Sequence, residues 1–130
     1  MLSHEVLAKP ISDLTNRPHI VLGIVLRAAC FTQEGVLRVG AGEPVVGREN
    51  LERFAAKWRA NFHGAPRHLS WHVLLKPEDE DHVRGTASAA LLATTEAGTL
   101  IVFCGQYEDR FERSADGEWL IAERFVTPDT

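Results

Sequence analysis

The chain has 130 residues, of which 45% are hydrophobic and 25% are charged, and its net charge is −4. These values predict one globular domain over residues 1–130 with a single core, and they exclude wholesale disorder. The weakly acidic balance argues against nucleic-acid binding, which needs a basic surface, and no cluster of like charges predicts a membrane-binding patch.

The sequence predicts a cytoplasmic protein. Residues 1–5 lack the basic segment of a secretory signal peptide, and no small-residue cleavage site follows. The longest apolar run, residues 20–26, is far too short to span a bilayer. Cys30 and Cys104 both stand in apolar stretches, which favours buried thiols and leaves a disulfide as the alternative.

The first half of the chain predicts helices and one short strand. Asn16 is a suitable N-cap and Pro18 favours a first helical turn, so we expect a helix from there towards Phe31, after a shorter one over about residues 4–14. Residues 35–39 predict a strand. A further helix then carries one apolar stripe at helical spacing, made by Leu51, Phe54, Ala55, Trp58 and Phe62.

The second half predicts strands joined by short polar or glycine-bearing connectors. The strand-like runs cover residues 68–75, 83–94, 99–113 and 119–126. Short connectors imply antiparallel hairpins, and Asp116-Gly117 is a strong hairpin turn. Two runs exceed the usual strand length, which predicts a bent sheet. Helices followed by an antiparallel meander indicate an α+β domain with the helices on one face of the sheet.

The last third of the chain carries the spacing G-x-Y-x-D followed by G-x-W-x-I-x-x-R, between Gly105 and Arg124. This pattern resembles the SnoaL-like domains of the nuclear transport factor 2-like superfamily, and Pro66-Arg67-His68 is similar to that family's Arg-His element. The resemblance implies a cone-shaped, strongly curved antiparallel or mixed sheet wrapped around about three N-terminal helices, a cystatin-like α+β barrel. It also implies an apolar cavity that takes a small hydrophobic ligand, and a homodimer through the outer sheet face.

Alternation along the first long strand predicts that His68, Ser70 and His72 share one face. The other face would take Leu69, Trp71 and Val73. By resemblance, His68 is the family's pocket-facing histidine, suited to general acid–base work near neutral pH. The alternative is that His68 and His72 only cover a solvated or dimer-facing side of the sheet.

Later strands add two further groups. Tyr107, Asp109 and Phe111 share one face, while Arg124 is predicted to share a face with Leu120 and Ala122. Asp109 and Arg124 can form a bidentate salt bridge that fixes strand register. Alternatively, Tyr107 and Asp109 look into the cavity, where a phenol and a carboxylate would act on a carbonyl oxygen. Phe54 and Trp58 are predicted to be core residues that also touch the ligand.

The joint between the first two helices departs from the family pattern. Residues 14–23 carry no acid where the acid–base members have an aspartate, so Asp13 is the nearest candidate partner for His68. No metal is predicted, because His68 and His72 lie roughly 13 Å apart along a strand and a zinc ligand binds at about 2 Å. No motif predicts a cofactor.

Two functions follow from the resemblance. The first is an enzyme in which His68, with Asp13 or Asp109, moves a proton on an aromatic, polyketide or steroid-like substrate as a lyase or isomerase, with Ser70, His72 and Tyr107 among the ligand contacts. The second is a non-catalytic ligand-binding or assembly module, similar to the small subunit of ring-hydroxylating dioxygenases. The same fold supports both functions, so only the residues and geometry of the site can distinguish them.

Overall fold

The computed structural model describes residues 28–61 and 66–129, which form one mixed sheet with a helix packed against it. A short 3₁₀ turn, Ala28–Cys30, leads into strand β1 (Phe31–Val39), strand β2 (Val45–Val46) and helix α1 (Arg48–Arg59). Four longer strands follow: β3 (Arg67–Asp79), β4 (His82–Thr95), β5 (Gly98–Arg113) and β6 (Trp119–Pro128).

The sheet has the strand order β2-β1-β6-β5-β4-β3. The predicted antiparallel meander is confirmed, because β3, β4, β5 and β6 pair with their chain neighbours in antiparallel fashion. Strand β1 joins the free edge of β6 in parallel, with Leu37 opposite Arg124, and β2 then pairs antiparallel with β1. The α+β class is therefore confirmed, with a mixed sheet.

The predicted start of the strand region is wrong by several residues. The helix expected to run towards Phe31 is not found over Ala28–Cys30, which form a 3₁₀ turn, and β1 begins at Phe31 rather than at residue 35. Phe31 belongs to the sheet because it pairs in register with Ile121 and is almost fully buried in the core. The rest of the two predicted N-terminal helices, together with Phe62, lies outside the described residues.

The core lies between α1 and one face of the sheet, here called the inner face. Leu51 and Ala55 of α1 are buried towards it, and Arg48 donates a hydrogen bond of 2.6 Å to the carbonyl oxygen of Phe31. The inner face contributes the largest fully buried side chains: Trp119, Phe31, Phe111, Leu37 and Val83. Phe54, part of the predicted apolar stripe, is half-buried against this cluster.

Strand β3 breaks its own alternation at His72. Trp71 pairs with Ser88 and Leu74 with Thr86, so β3 has one residue more than β4 between these pairs. His72 takes the extra position with a φ of 52° and is exposed, and Val73 turns to the core. The prediction that His72 shares a face with His68 and Ser70 is therefore wrong, as is the placement of Val73 with Trp71.

A second irregularity lies in β6. Arg110 pairs with Glu123 and Phe111 with Ile121, which leaves Ala122 as the extra residue. Because of this bulge, Arg124 lies on the inner face together with Ile121 and Trp119, and all three are buried. The prediction that Arg124 shares a face with Leu120 and Ala122 is wrong for the same reason.

Candidate functional site

Polar side chains from three strands meet on the inner face of the sheet. His68 comes from β3, Tyr107 and Asp109 from β5, and Arg124 from β6. Tyr107 and Asp109 are two residues apart and so project from the same face, as predicted, and Arg124 lies directly opposite Asp109 in register.

Strand β4 separates His68 from Tyr107, and its small side chains allow them to meet. On the inner face between them β4 carries Ala87 and Ala89, both buried. Because each offers only a methyl group, the imidazole and the phenol can contact each other above β4. The His68 Nε2 atom and the Tyr107 hydroxyl oxygen are 2.8 Å apart, and the two rings are stacked with centroids 5.5 Å apart.

Asp109 and Arg124 form the bidentate salt bridge that the sequence predicts. Arg124 Nε donates to Oδ1 at 2.7 Å and Nη2 donates to Oδ2 at 2.9 Å, and each side chain is only 4% exposed. Burial alone lowers the pKa of Arg124, but the charge of Asp109 and its hydrogen bonds raise that pKa above the usual arginine value. The guanidinium is therefore a permanent buried cation.

Tyr107 lies between this ion pair and His68. The Arg124 Cζ atom is 4.3 Å from the centroid of the phenol ring, so the cation covers one face of the ring. Burial raises the pKa of Tyr107, and the Asp109 charge adds to this, although the Arg124 charge opposes it. The phenol stays protonated at neutral pH and is available as a hydrogen-bond donor.

The other predicted site residues are more scattered. Ser70 is half-buried on the same strand and face as His68, while Trp58 is half-buried on α1. His72 is exposed at the bulge, away from His68. Asp13, the predicted carboxylate partner, lies outside the described residues. The carboxylate that the sequence offered as an alternative, Asp109, is bonded to Arg124 through both oxygens.

The position of Arg124 on the face of Tyr107 was not foreseen from the sequence. Plain alternation from Trp119 assigns Arg124 to the outer face, and only the bulge returns it to the inner one. The sequence gives no clear signal of the bulge, because large apolar residues of this strand stand at odd positions, as Trp119 and Phe125 do, and at even ones, as Val126 does.

Two hollows are lined by described residues. One is a depression beside Asp109 that is too small to admit a water molecule, and it is lined mainly by apolar groups: Val73, Leu75, Gly85, Thr86, Ala87 and Phe111. The other, of about 220 Å³, lies where β3, β4 and β5 meet near Arg67, lined by Arg67, Leu92, Thr94 and Thr99. No cluster of metal-ligating side chains occurs within residues 28–61 and 66–129, and none of the helices described there is long and apolar enough to cross a membrane.

The comparison with protein families gives one match. The model of the SnoaL-like domain family aligns with residues 26–125, which include β1 through most of β6 and all four polar residues of the site. A comparison with curated proteins gave no match.

Solved structures with the same fold come from several sources. Rv3472 from Mycobacterium tuberculosis, solved as a substituted form and described as of unknown function, is 29% identical, with a TM-score of 0.75 over 94% of this chain and 71% of that one. A proposed scytalone dehydratase from Novosphingobium aromaticivorans is 16% identical, with a TM-score of 0.68 and coverage of 97% and 83%. The beta subunit of a proposed aromatic-ring-hydroxylating dioxygenase from the same organism is 22% identical, with a TM-score of 0.68 and coverage of 97% and 91%.

Proposed function

We propose that this chain, which belongs to the SnoaL-like domain family, is a single domain over residues 1–130 that binds a small hydrophobic molecule and acts on it by acid–base chemistry. The binding site is the apolar cavity of a cone, formed by the sheet curving around about three helices. The reaction is that of a lyase or isomerase on an aromatic, polyketide or steroid-like compound, without a cofactor. The observation that carries the proposal is the 2.8 Å contact between His68 Nε2 and the Tyr107 hydroxyl.

An imidazole and a phenol in contact supply the two protic groups that such a reaction needs. When a substrate binds, the Tyr107 hydroxyl turns from His68 to a carbonyl oxygen of the substrate and stabilises the negative charge that develops there. His68 Nε2 is then open to accept a proton from the carbon next to that carbonyl. The protonated imidazole returns the proton to a departing hydroxyl group, which leaves as water, or to another carbon, which completes an isomerisation.

The remaining candidates take supporting roles in this proposal. Asp13 is the carboxylate that orients His68, and Phe54, Trp58 and Ser70 contact the ligand. Asp109 takes no part in the proton transfer, because both of its oxygens accept hydrogen bonds from the Arg124 guanidinium. His72 is omitted from the site, since it is exposed at the bulge of β3.

The proposal is tested by incubating the protein with a panel of aromatic β-hydroxy ketones and following the loss of one water by mass spectrometry. His68→Ala should lower kcat/KM at least about 100-fold, the usual contribution of a general base, with little change in the unfolding temperature. Ser88→Ala, at a half-buried polar residue on the opposite face of β4, is the matched control and should keep full turnover. If His68→Ala lowers stability and leaves turnover intact, the proposal is wrong.

The second candidate is an assembly module without chemistry. It is favoured by the exposed apolar side chains on the outer face of the sheet, which include Leu69, Trp71 and Ile101. In that role the outer face binds a larger catalytic subunit. In the enzyme role the same face joins two copies of this chain into a homodimer in the cytoplasm. Failure of the whole panel to react, together with a purified chain that is monomeric, would favour the assembly module.

A further inference from the structure

We infer that Arg124 is a positioning residue for the His68–Tyr107 pair: clamped by Asp109, its guanidinium plane holds the phenol ring so that the hydroxyl points at His68 Nε2. The inference rests on the proposed function, because it concerns the same proton-carrying pair. It gives the conspicuous buried ion pair a role beyond strand register.

The first step is the clamp on Arg124. Two parallel hydrogen bonds to Asp109, of 2.7 and 2.9 Å, fix both the position and the plane of the guanidinium. Both side chains are 4% exposed, so water does not compete for these bonds. A single-point ion pair would fix the charge and leave the orientation free.

The second step is the contact of the clamped plane with Tyr107. Since Tyr107 precedes Asp109 by two residues on the same face of β5, an arginine opposite Asp109 needs only to lean along the strand to cover the phenol. The Cζ atom lies 4.3 Å from the ring centroid. A buried cation on a ring face is attractive, and here it also blocks that face, which opposes rotation of the ring.

The third step is the consequence for His68. With the ring held, the Tyr107 hydroxyl stays 2.8 Å from Nε2. A phenol hydroxyl can donate to Nε2 or accept a hydrogen bond from it, but it is the stronger donor, because its oxygen lone pair is delocalised into the ring. When it donates to Nε2, the neutral imidazole carries its own proton on Nδ1. The proposed reaction needs this tautomer, because only an unprotonated Nε2 can accept a proton when the hydroxyl turns to the substrate.

Lysine cannot replace Arg124 in this role. Its ammonium group would keep the positive charge beside Asp109 but has no plane to lay on the phenol and no fork for the carboxylate. A role in charge balance alone would therefore survive Arg124→Lys, and a positioning role would not.

The experiment measures the tautomer of His68 by ¹⁵N NMR of histidine-labelled protein above the pH at which the ring titrates. In the wild type the Nδ1–H form should predominate, because the phenol is a stronger donor to Nε2 than it is an acceptor from it. Tyr107→Phe should abolish this preference, and Arg124→Lys should reduce it several-fold. Arg110→Lys, at an exposed arginine on the outer face of the same strand, is the control and should leave it unchanged.

If Arg124→Lys shows the same preference for the Nδ1–H tautomer of His68 as the wild type, the inference is overturned. If Arg124→Lys does not fold, the NMR signals of the Tyr107 ring in the wild type provide the test. A clamped ring flips slowly and gives separate resonances for its two edges. Fast flipping would overturn the inference. Neither readout requires a substrate. A normal tautomer in a protein without turnover would refute the proposed function and leave the positioning role intact.

Discussion

Asp109 and Arg124 are two charged side chains in the core of the described sheet. Removing each charge from water costs several kcal/mol. The attraction between the two charges offsets this cost only when the partner and the hydrogen bonds are in place. Here Asp109 receives two hydrogen bonds from the guanidinium, and Arg124 also covers the face of Tyr107. Loss of one partner would leave the other charge buried without compensation.

At this residue scale we predict that Asp109→Asn destabilises the fold by about 3–5 kcal/mol, the usual effect of breaking a buried ion pair. The amide keeps the shape of the side chain but offers Arg124 one neutral acceptor in place of a bidentate carboxylate. Urea denaturation followed by circular dichroism measures the change. Glu108→Gln makes the same chemical change at the exposed neighbour and should alter stability by less than about 0.5 kcal/mol. Equal midpoints for the two variants would refute this prediction.

The ion pair could be predicted from the sequence, whereas its contact with Tyr107 could not. Acid and base at plausible cross-strand positions, joined by a short Asp-Gly turn, are sufficient to suggest a pair. The contact with the ring depends on which face Arg124 occupies, and that depends on the bulge at Ala122. A bulge is decided by the twist and curvature of the whole sheet, which local alternation does not contain.

Among the elements, β3 was the hardest to predict. Four of its apolar residues, Leu69, Trp71, Val73 and Leu75, occupy odd positions as in an unbroken strand, and this pattern does not predict the bulge at His72. The first two are exposed on the outer face and the last two are half-buried on the inner face. When a strand carries apolar residues on both faces, the sequence shows no difference in polarity between the faces. The face of each residue then cannot be predicted from alternation. The meander itself was predictable, because its short turns force neighbouring strands to pair.

The hairpin between β3 and β4 carries a histidine with a carboxylate at each ring nitrogen. His82 Nδ1 lies 2.8 Å from Asp79 Oδ1, and Nε2 lies 3.4 Å from Glu112 Oε1 on β5. Nearby, Arg113 pairs with Asp81 at 3.0 Å and Arg84 pairs with Glu78 at 3.0 Å. A neutral imidazole has one N–H, so only the protonated ring can donate to both carboxylates.

The hairpin therefore predicts a pH-dependent stability. The hydrogen bond between His82 and Asp79 raises the pKa of His82 above 6.5. Burial opposes this rise, and the charges of Asp79 and Glu112 add to it. The pKa of Asp79 is lowered below 3.8, first by the backbone of Asp81 and then by His82. The stability that His82 contributes to the folded state is fully present below the pKa that His82 has in the unfolded chain. It is lost as the pH rises through the raised pKa of the folded state. The Asp79 contribution is lost only as the pH falls through its lowered value.

We expect the His82–Asp79 pair to stabilise the fold most between the lowered pKa of Asp79 and the raised pKa of His82. The wild type should therefore resist urea better at about pH 5.5 than at about pH 8. His82→Gln should remove much of that difference. His72→Asn is the control, because it removes an exposed imidazole and places at the positive φ of 52° a residue that tolerates it. An unchanged pH difference in His82→Gln would show that the dependence arises elsewhere.

At the scale of the whole molecule, the two faces of the sheet differ in how they are covered. Helix α1 packs on the inner face, where the core and the His68–Tyr107 pair lie. The outer face leaves large apolar side chains in contact with water, with exposures of 49% for Leu69, 41% for Trp71 and 67% for Ile101. Large apolar side chains exposed on one face of a sheet favour association with a partner. A second copy of this chain is the partner that we propose for the enzyme role.

We predict that the chain is a dimer through this outer face and that Ile101→Glu converts it to a folded monomer. A stable interface buries about 800 Å² per partner and tolerates a charge poorly at its apolar centre, whereas an exposed strand position tolerates glutamate in the monomer. Sedimentation equilibrium measures the mass, and circular dichroism verifies the fold. Ala56→Glu, on the exposed side of α1 and away from the sheet, is the matched control and should remain dimeric. A monomeric wild type, or an Ile101→Glu variant that stays dimeric, would exclude this face as the dimer interface.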